Sequence, residues 1–180
     1  MSKWMHVASK TASASASLAF TKKEIDGATV LAVSALAVGL RALVPANNTV
    51  TLNIQVSVAG AIDTSAVYAF SNWGAPYSTG TGADQGHSAA TTAFILGAAA
   101  GTAGAGFGTS GYFTIFSPFD TATDKAAMWQ ATQTLTATTG VHYVGGGTWA
   151  NTAAIDGLSV AFSAGNITSG SVDVYLLIAQ

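Results

Sequence analysis

Asn151-Thr-Ala-Ala-Ile-Asp-Gly-Leu-Ser-Val-Ala-Phe-Ser-Ala-Gly-Asn-Ile-Thr-Ser-Gly-Ser-Val-Asp-Val-Tyr-Leu-Leu-Ile-Ala-Gln180 is the stretch that decides the fold. Leu158, Val160 and Phe162 alternate with Ser159, Ala161 and Ser163. Further on, Val172, Val174, Leu176 and Ile178 fall on one face, with Ser171, Asp173, Tyr175 and Leu177 on the other. Alternation with a period of two, bounded by Gly and Asn, is the pattern of half-buried strands. The Gly165-Asn-Ile-Thr-Ser-Gly170 connection between the runs predicts a β-hairpin with a loop longer than two residues.

Working outward, the same signal recurs. Val50, Leu52, Ile54, Val56 and Val58 alternate with Thr51, Asn53, Gln55 and Ser57, and Pro45 with Asn47-Asn48 supplies the turn before them. Ala28 to Leu40 is apolar, but Arg41 ends it short of the roughly 18 residues a membrane span needs. Its valines predict a buried strand, bent near Gly39. Ala12 to Phe20 reads as a strand with a closely packed small-residue face. Gly111-Tyr-Phe-Thr-Ile-Phe116 is a strand stopped by Ser117-Pro118. Ala89 to Ala100 is a short strand or a helical turn around Phe94-Ile-Leu96; Ala127 to Thr138 is one or two strands. Residues 1–10 are expected to form an N-terminal arm and 11–180 a single domain. About eight short strands with no long amphipathic helix predict an all-β, antiparallel β-sandwich. Ser71 to Gly111, with its aromatic Asn72-Trp-Gly-Ala-Pro-Tyr77 and its Gly/Ala-rich 97–111, is expected to be long loops.

Composition narrows the function. Charged residues make up 8% of the chain, against about 25% in ordinary globular proteins. Depletion of charge is a trait of surfaces that meet other subunits. A net charge of −2 offers no basic field for nucleic acid. The absence of cysteine removes disulfides and thiolate chemistry.

No motif sets up catalysis. Asp84 and His87 share a Gly-rich stretch, but two ligands do not make a metal site. Asp120 and Asp124 suit a turn better than a pair of glycosidase acids. His142 sits in a strand pattern. No Gly-x-Ser-x-Gly elbow occurs, and Gly104-Ala-Gly-Phe-Gly108 lacks the Lys-Ser/Thr of a phosphate loop. No cofactor is expected. Trp73, Tyr77 and Trp149 can stack on sugars or plug the ends of a sandwich. With Trp4 and His6 of the arm and Phe107 of the Gly/Ala segment, they form the candidate interaction surface.

The ending resembles small structural proteins of tailed bacteriophages, in which a hydrophobic strand, Ser-Gly-Asn-Ile-x-Ser-Gly and a strand closing on Val-Tyr recur near the C-terminus. Thr11–Thr21 is similar to their opening strand, Val44–Ser57 to their Val-Pro-Ala strand, and Ala66-Val-Tyr-Ala-Phe70 to the strand that follows. The order is kept over most of the chain; the Ala/Gly-rich middle and the Leu176-Leu-Ile-Ala-Gln180 ending fall outside it. The resemblance implies a jelly roll and a non-enzymatic virion protein, foremost a homotrimeric decoration (cement) protein. It would bind the major capsid protein on the capsid surface after assembly in the host cytoplasm. A fibre module that binds host glycans is the alternative.

Overall fold

The computed structural model describes residues 2–25, 33–47, 50–76, 84–97, 108–136 and 139–178. Its elements run β1 (Lys3–Thr11), β2 (Leu18–Phe20), a helical turn α1 (Lys22–Ile25), β3 (Val33–Pro45), β4 (Leu52–Val58), β5 (Ala61–Ile62), β6 (Tyr68–Pro76) and β7 (Asp84–Thr91). They continue with β8 (Phe94–Ile95), β9 (Thr109–Phe116), β10 (Lys125–Thr136), β11 (Thr139–Trp149), β12 (Gly157–Phe162) and β13 (Ile167–Ile178). The fold is an all-β sandwich of two antiparallel sheets. One has eight strands in the order β1-β13-β3-β9-β10-β11-β6-β7; the other has five, β2-β12-β4-β5 with β8 also on β4.

The strands of 157–178 form where the alternation places them, but not as a hairpin. β12 pairs with β2 and β4, whereas β13 pairs with β1 and β3. The connection crosses from one sheet to the other, tied down by Ile167 N–H to Ser15 O at 2.7 Å and Ala46 N–H to Asn166 O at 2.8 Å. Alternation fixes which side chains face inward and says nothing of the neighbouring strand. Leu158, Val160 and Phe162 enter the core from one sheet, and Val172, Val174 and Leu176 from the other.

Four further expectations change. Residues 3–11 are not an arm: β1 pairs along β13 from Lys3↔Ile178 to Thr11↔Ser171 and forms the sheet's edge. Within 12–20 only Leu18–Phe20 is a strand; Ala14 has φ 51° and Ser15 makes a single bridge to Ile167, so the Ala/Ser run carries the chain between sheets. The aromatic stretch after Ser71 is not a loop but the end of β6, paired with β7. The bend in β3 falls at Ala42 (φ 47°), beside the register shift between Leu40 and Leu43, and not at Gly39. Phe94–Ile95 resolves to a strand. Residues 98–107 lie outside the described residues.

Apolar side chains of both sheets meet in one core. Its centre is aromatic: Phe94 packs edge-on to Tyr68 (5.1 Å, 88°) and lies 5.3 Å from Phe113, which stacks on Trp129 (6.2 Å, 23°). Trp129 explains Gly145: a Cβ there would lie 2.4 Å from the indole.

Candidate interaction surface

The eight-stranded sheet has a second face that the sandwich leaves open. Strand register orders the side chains on it. One row runs His6–Tyr175–Ala37–Thr114–Met128–Gly146–Ser71–His87, crossing every strand. The next runs Ser9–Asp173–Gly39–Tyr112–Gln130–Val144–Trp73. Trp4 and Leu177 are paired beyond the first row, and Ala35 pairs Leu177 to Phe116. Among the described residues the large exposed apolar side chains are Trp4, Trp73, Tyr112, Phe116, Met128 and Val144, 40–49% exposed, and all lie on this face. So do the side chains of His6, His87 and His142.

Two polar networks stiffen it. In the middle, the Tyr112 hydroxyl donates to Gln130 Oε1 at 2.8 Å, leaving the amide nitrogen 2.9 Å from His142 Nε2. That ring nitrogen therefore accepts, and the ring proton sits on Nδ1, 3.3 Å from Thr132 Oγ1. These residues line a recess of about 240 Å³ floored by Gly111 and Ala131. Beside it an open groove of about 360 Å³ passes over Gly146, between Ser71, His87 and Thr148.

At the β1 edge, Asp173 is buried and takes an ion pair from Arg41 Nε at 2.7 Å. Ser9 Oγ donates to Asp173 Oδ1, and His6 Nε2 lies 2.8 Å from Ser9 Oγ. Ser, His and Asp are thus together, but in the wrong order for nucleophilic catalysis. A triad needs the histidine between serine and carboxylate, accepting the hydroxyl proton. Here the hydroxyl proton goes to Asp173, so the imidazole must donate. The cluster braces β1 on β13, aided by the edge contact of His6 on Tyr175 at 5.2 Å.

Asp63 and Asp120 are occupied structurally. Asp63 accepts from the Trp149 indole at 2.8 Å and from the Ser65 N–H at 2.9 Å. Burial pushes its pKa up, but the bonds from Ser65, Trp149 and Asn151 outweigh it and hold the carboxyl below its usual range. Asp120 closes a turn onto Ala122 N–H at 2.9 Å and Thr123 Oγ1 at 2.5 Å, and these bonds lower its pKa too. Among the described residues no three His, Cys, Asp or Glu could hold a metal ion, and no helix is long and apolar enough to cross a membrane.

Of the residues expected on an interaction surface, Trp4, His6 and Trp73 share this face. Trp149 does not: it is fully buried between the sheets, its indole N–H bonded to Asp63. It plugs the sandwich because its position on β11 has inward parity, opposite to Val144. Tyr77 and Phe107 lie outside the described residues. Tyr112, Phe116, Met128 and Val144 were missed. Their signal was there, since Tyr112 and Phe116 alternate with Phe113 and Ile115; with both faces of β9 apolar, the sequence could not say which was open. No protein-family model, no curated protein and no solved structure matches this chain.

Proposed function

We propose that the chain is a non-enzymatic structural protein of a tailed-phage virion, a self-associating decoration protein that binds the major capsid protein and braces the head shell. The observation that carries this reading is the face just described: broad, nearly uncharged and bearing six large exposed apolar side chains on a two-sheet scaffold. A solvated monomer surface is normally charged, whereas a face built for repeated protein contacts is not. Strand order supports it. Setting aside the β6–β7 and β10–β11 hairpins and the two-residue β5, the remaining order is β1-β13-β3-β9 over β2-β12-β4-β8. We read this as two interleaved Greek keys, a jelly roll widened on one side by two hairpins. Capsid and lectin domains use that architecture, so topology alone assigns no role.

Copy number in purified particles tests the reading. Hundreds of copies per particle, and capsids that release DNA at lower temperature when the protein is absent, are the expected results. Absence from intact particles, or equal heat resistance without it, overturns it. A fibre module for host glycans is favoured by one observation, the exposed Trp73 near the groove over Gly146. A glycan array with a saturable binder, lost in Trp73→Ala, would establish that reading instead.

A further inference from the structure

We propose that the open face of the eight-stranded sheet is covered by the like face of a second copy of this chain; this rests on the structural role above and makes its self-contact twofold, in place of the threefold one that the resemblance implies. The first argument is segregation. The outer face of the five-stranded sheet presents Ala19, Asn53, Gln55, Ser159 and Ala161; Ile62 and Ile95, paired to Ser57 and Asn53, are half-buried, and none of its described residues is a large exposed apolar side chain. Exposed apolar side chains scattered singly are ordinary and need no explanation. Six confined to one face of one sheet are not scattered.

The second argument is area. Eight strands at about 4.8 Å spacing, each crossing the face for about seven residues, present roughly 850–900 Å². A stable interface takes about 800 Å² from each partner, so one face of this size suffices.

The third is charge. Among the described residues the oppositely charged Arg41 and Asp173 on this face lie 2.7 Å apart and neutralise each other. A nucleic acid or a strongly acidic or basic protein would find no complementary field here. An identical copy brings no field either, so like faces meet without repulsion. Relief matches as well: Trp73 stands out from the sheet, while Gly146, one strand over, leaves a groove of about 360 Å³. A protruding indole and an open groove on one surface are the parts a self-complementary contact requires.

Sedimentation of the full chain across a dilution series tests this, with variants Val144→Glu and Met128→Glu on the open face and Ala19→Glu on the outer face of the small sheet. The expected result is a wild-type oligomer that the first two weaken by about a hundredfold or more, since like charges apposed in an interface repel, and that Ala19→Glu leaves intact. Circular dichroism and thermal melts establish that the variants are folded. Should a glutamate variant fail to fold, single cysteines serve, because the chain has none of its own. Val144→Cys is expected to cross-link between copies and Ala19→Cys not. A wild type that stays monomeric, or folded Val144→Glu and Met128→Glu proteins that remain oligomeric, overturns the inference. So does a monomer whose open-face charges abolish attachment to capsids, which would make the shell the occupant. The two readings fail separately. An oligomer held by this face but missing from particles sinks only the virion role. A particle-abundant protein indifferent to Val144→Glu sinks only the interface.

Discussion

The two faces of the eight-stranded sheet are built from the same strands under opposite constraints. Inward, Leu36, Val38, Phe113, Ile115, Trp129 and Val174 are at most 1% exposed, and the space between sheets dictates side-chain size. Outward, Tyr112, Phe116, Met128 and Val144 are 40–47% exposed, so among the described residues no close packing sets their size. Polar groups differ too. On β10, the outward Gln130 is bonded on both sides by Tyr112 and His142, whereas the inward Gln133 is buried with neither amide atom bonded. The difference teaches that packing controls one surface of this sheet, while on the other the described residues leave large apolar side chains in solvent.

The largest expected effect comes from two adjacent glycines on β11. A Cβ on Gly145 would meet the Trp129 indole at 2.4 Å; one on Gly146 meets only the Ala127 carbonyl, at 3.3 Å. Gly145→Ala is expected to cost about 2–4 kcal/mol through forced displacement of Trp129. Gly146→Ala is expected to cost under about 1 kcal/mol. Urea titrations of both variants measure the contrast, and equal losses would break the distinction between the faces.

That contrast also marks what the sequence made legible. Class came from alternation: Leu52, Ile54 and Val56, and Val172, Val174 and Leu176, point inward as their spacing requires. Pairing did not, because a strand's neighbour is set by chain far away. Leu158–Phe162 and Val172–Ile178 share a core from opposite sheets, and the turn residues between them look the same as those of a hairpin. Gly145 and Gly147 lie inside β11, where Trp129 and the Ala69 carbonyl leave no room for a side chain. The surface was half legible. Trp4, His6 and Trp73 were visible as unusual residues, but Trp149 has the same chemistry and the opposite parity.

A smaller effect is expected where the inner face meets its rim. Asp63 is the partner of the Trp149 indole. Asp63→Ala strands that buried N–H and is expected to cost about 1–3 kcal/mol. The carboxyl's pKa is lowered in the fold. Its contribution is therefore complete above the unfolded value, near 4, and is lost as pH falls through the lower folded value. Glu24, held down by the Thr21 backbone N–H and by Lys10, adds in the same direction. Melting temperature should fall on acidification below about pH 4, and less steeply in Asp63→Ala than in wild type. Parallel curves would mean that Asp63 carries none of the acid sensitivity.

The smallest expected effect has the opposite sign and bears most directly on the comparison. Thr109 Oγ1 and both amide atoms of Gln133 are buried without partners, and the two residues face each other across β9 and β10. An unmet buried polar atom costs free energy that an apolar group of the same shape does not. Thr109→Val with Gln133→Met keeps the volume and removes the unmet groups, so the double variant should gain about 1–2 kcal/mol. Gln130→Met, three residues earlier on the same strand, breaks the bonds to Tyr112 and His142 and should gain nothing. If Gln130→Met stabilised the fold as much as the inner pair, the outer network would be dispensable. If the inner pair destabilised it, Thr109 and Gln133 would have partners on the inner face after all, and the rule that volume alone governs that face would fail at the position built to test it.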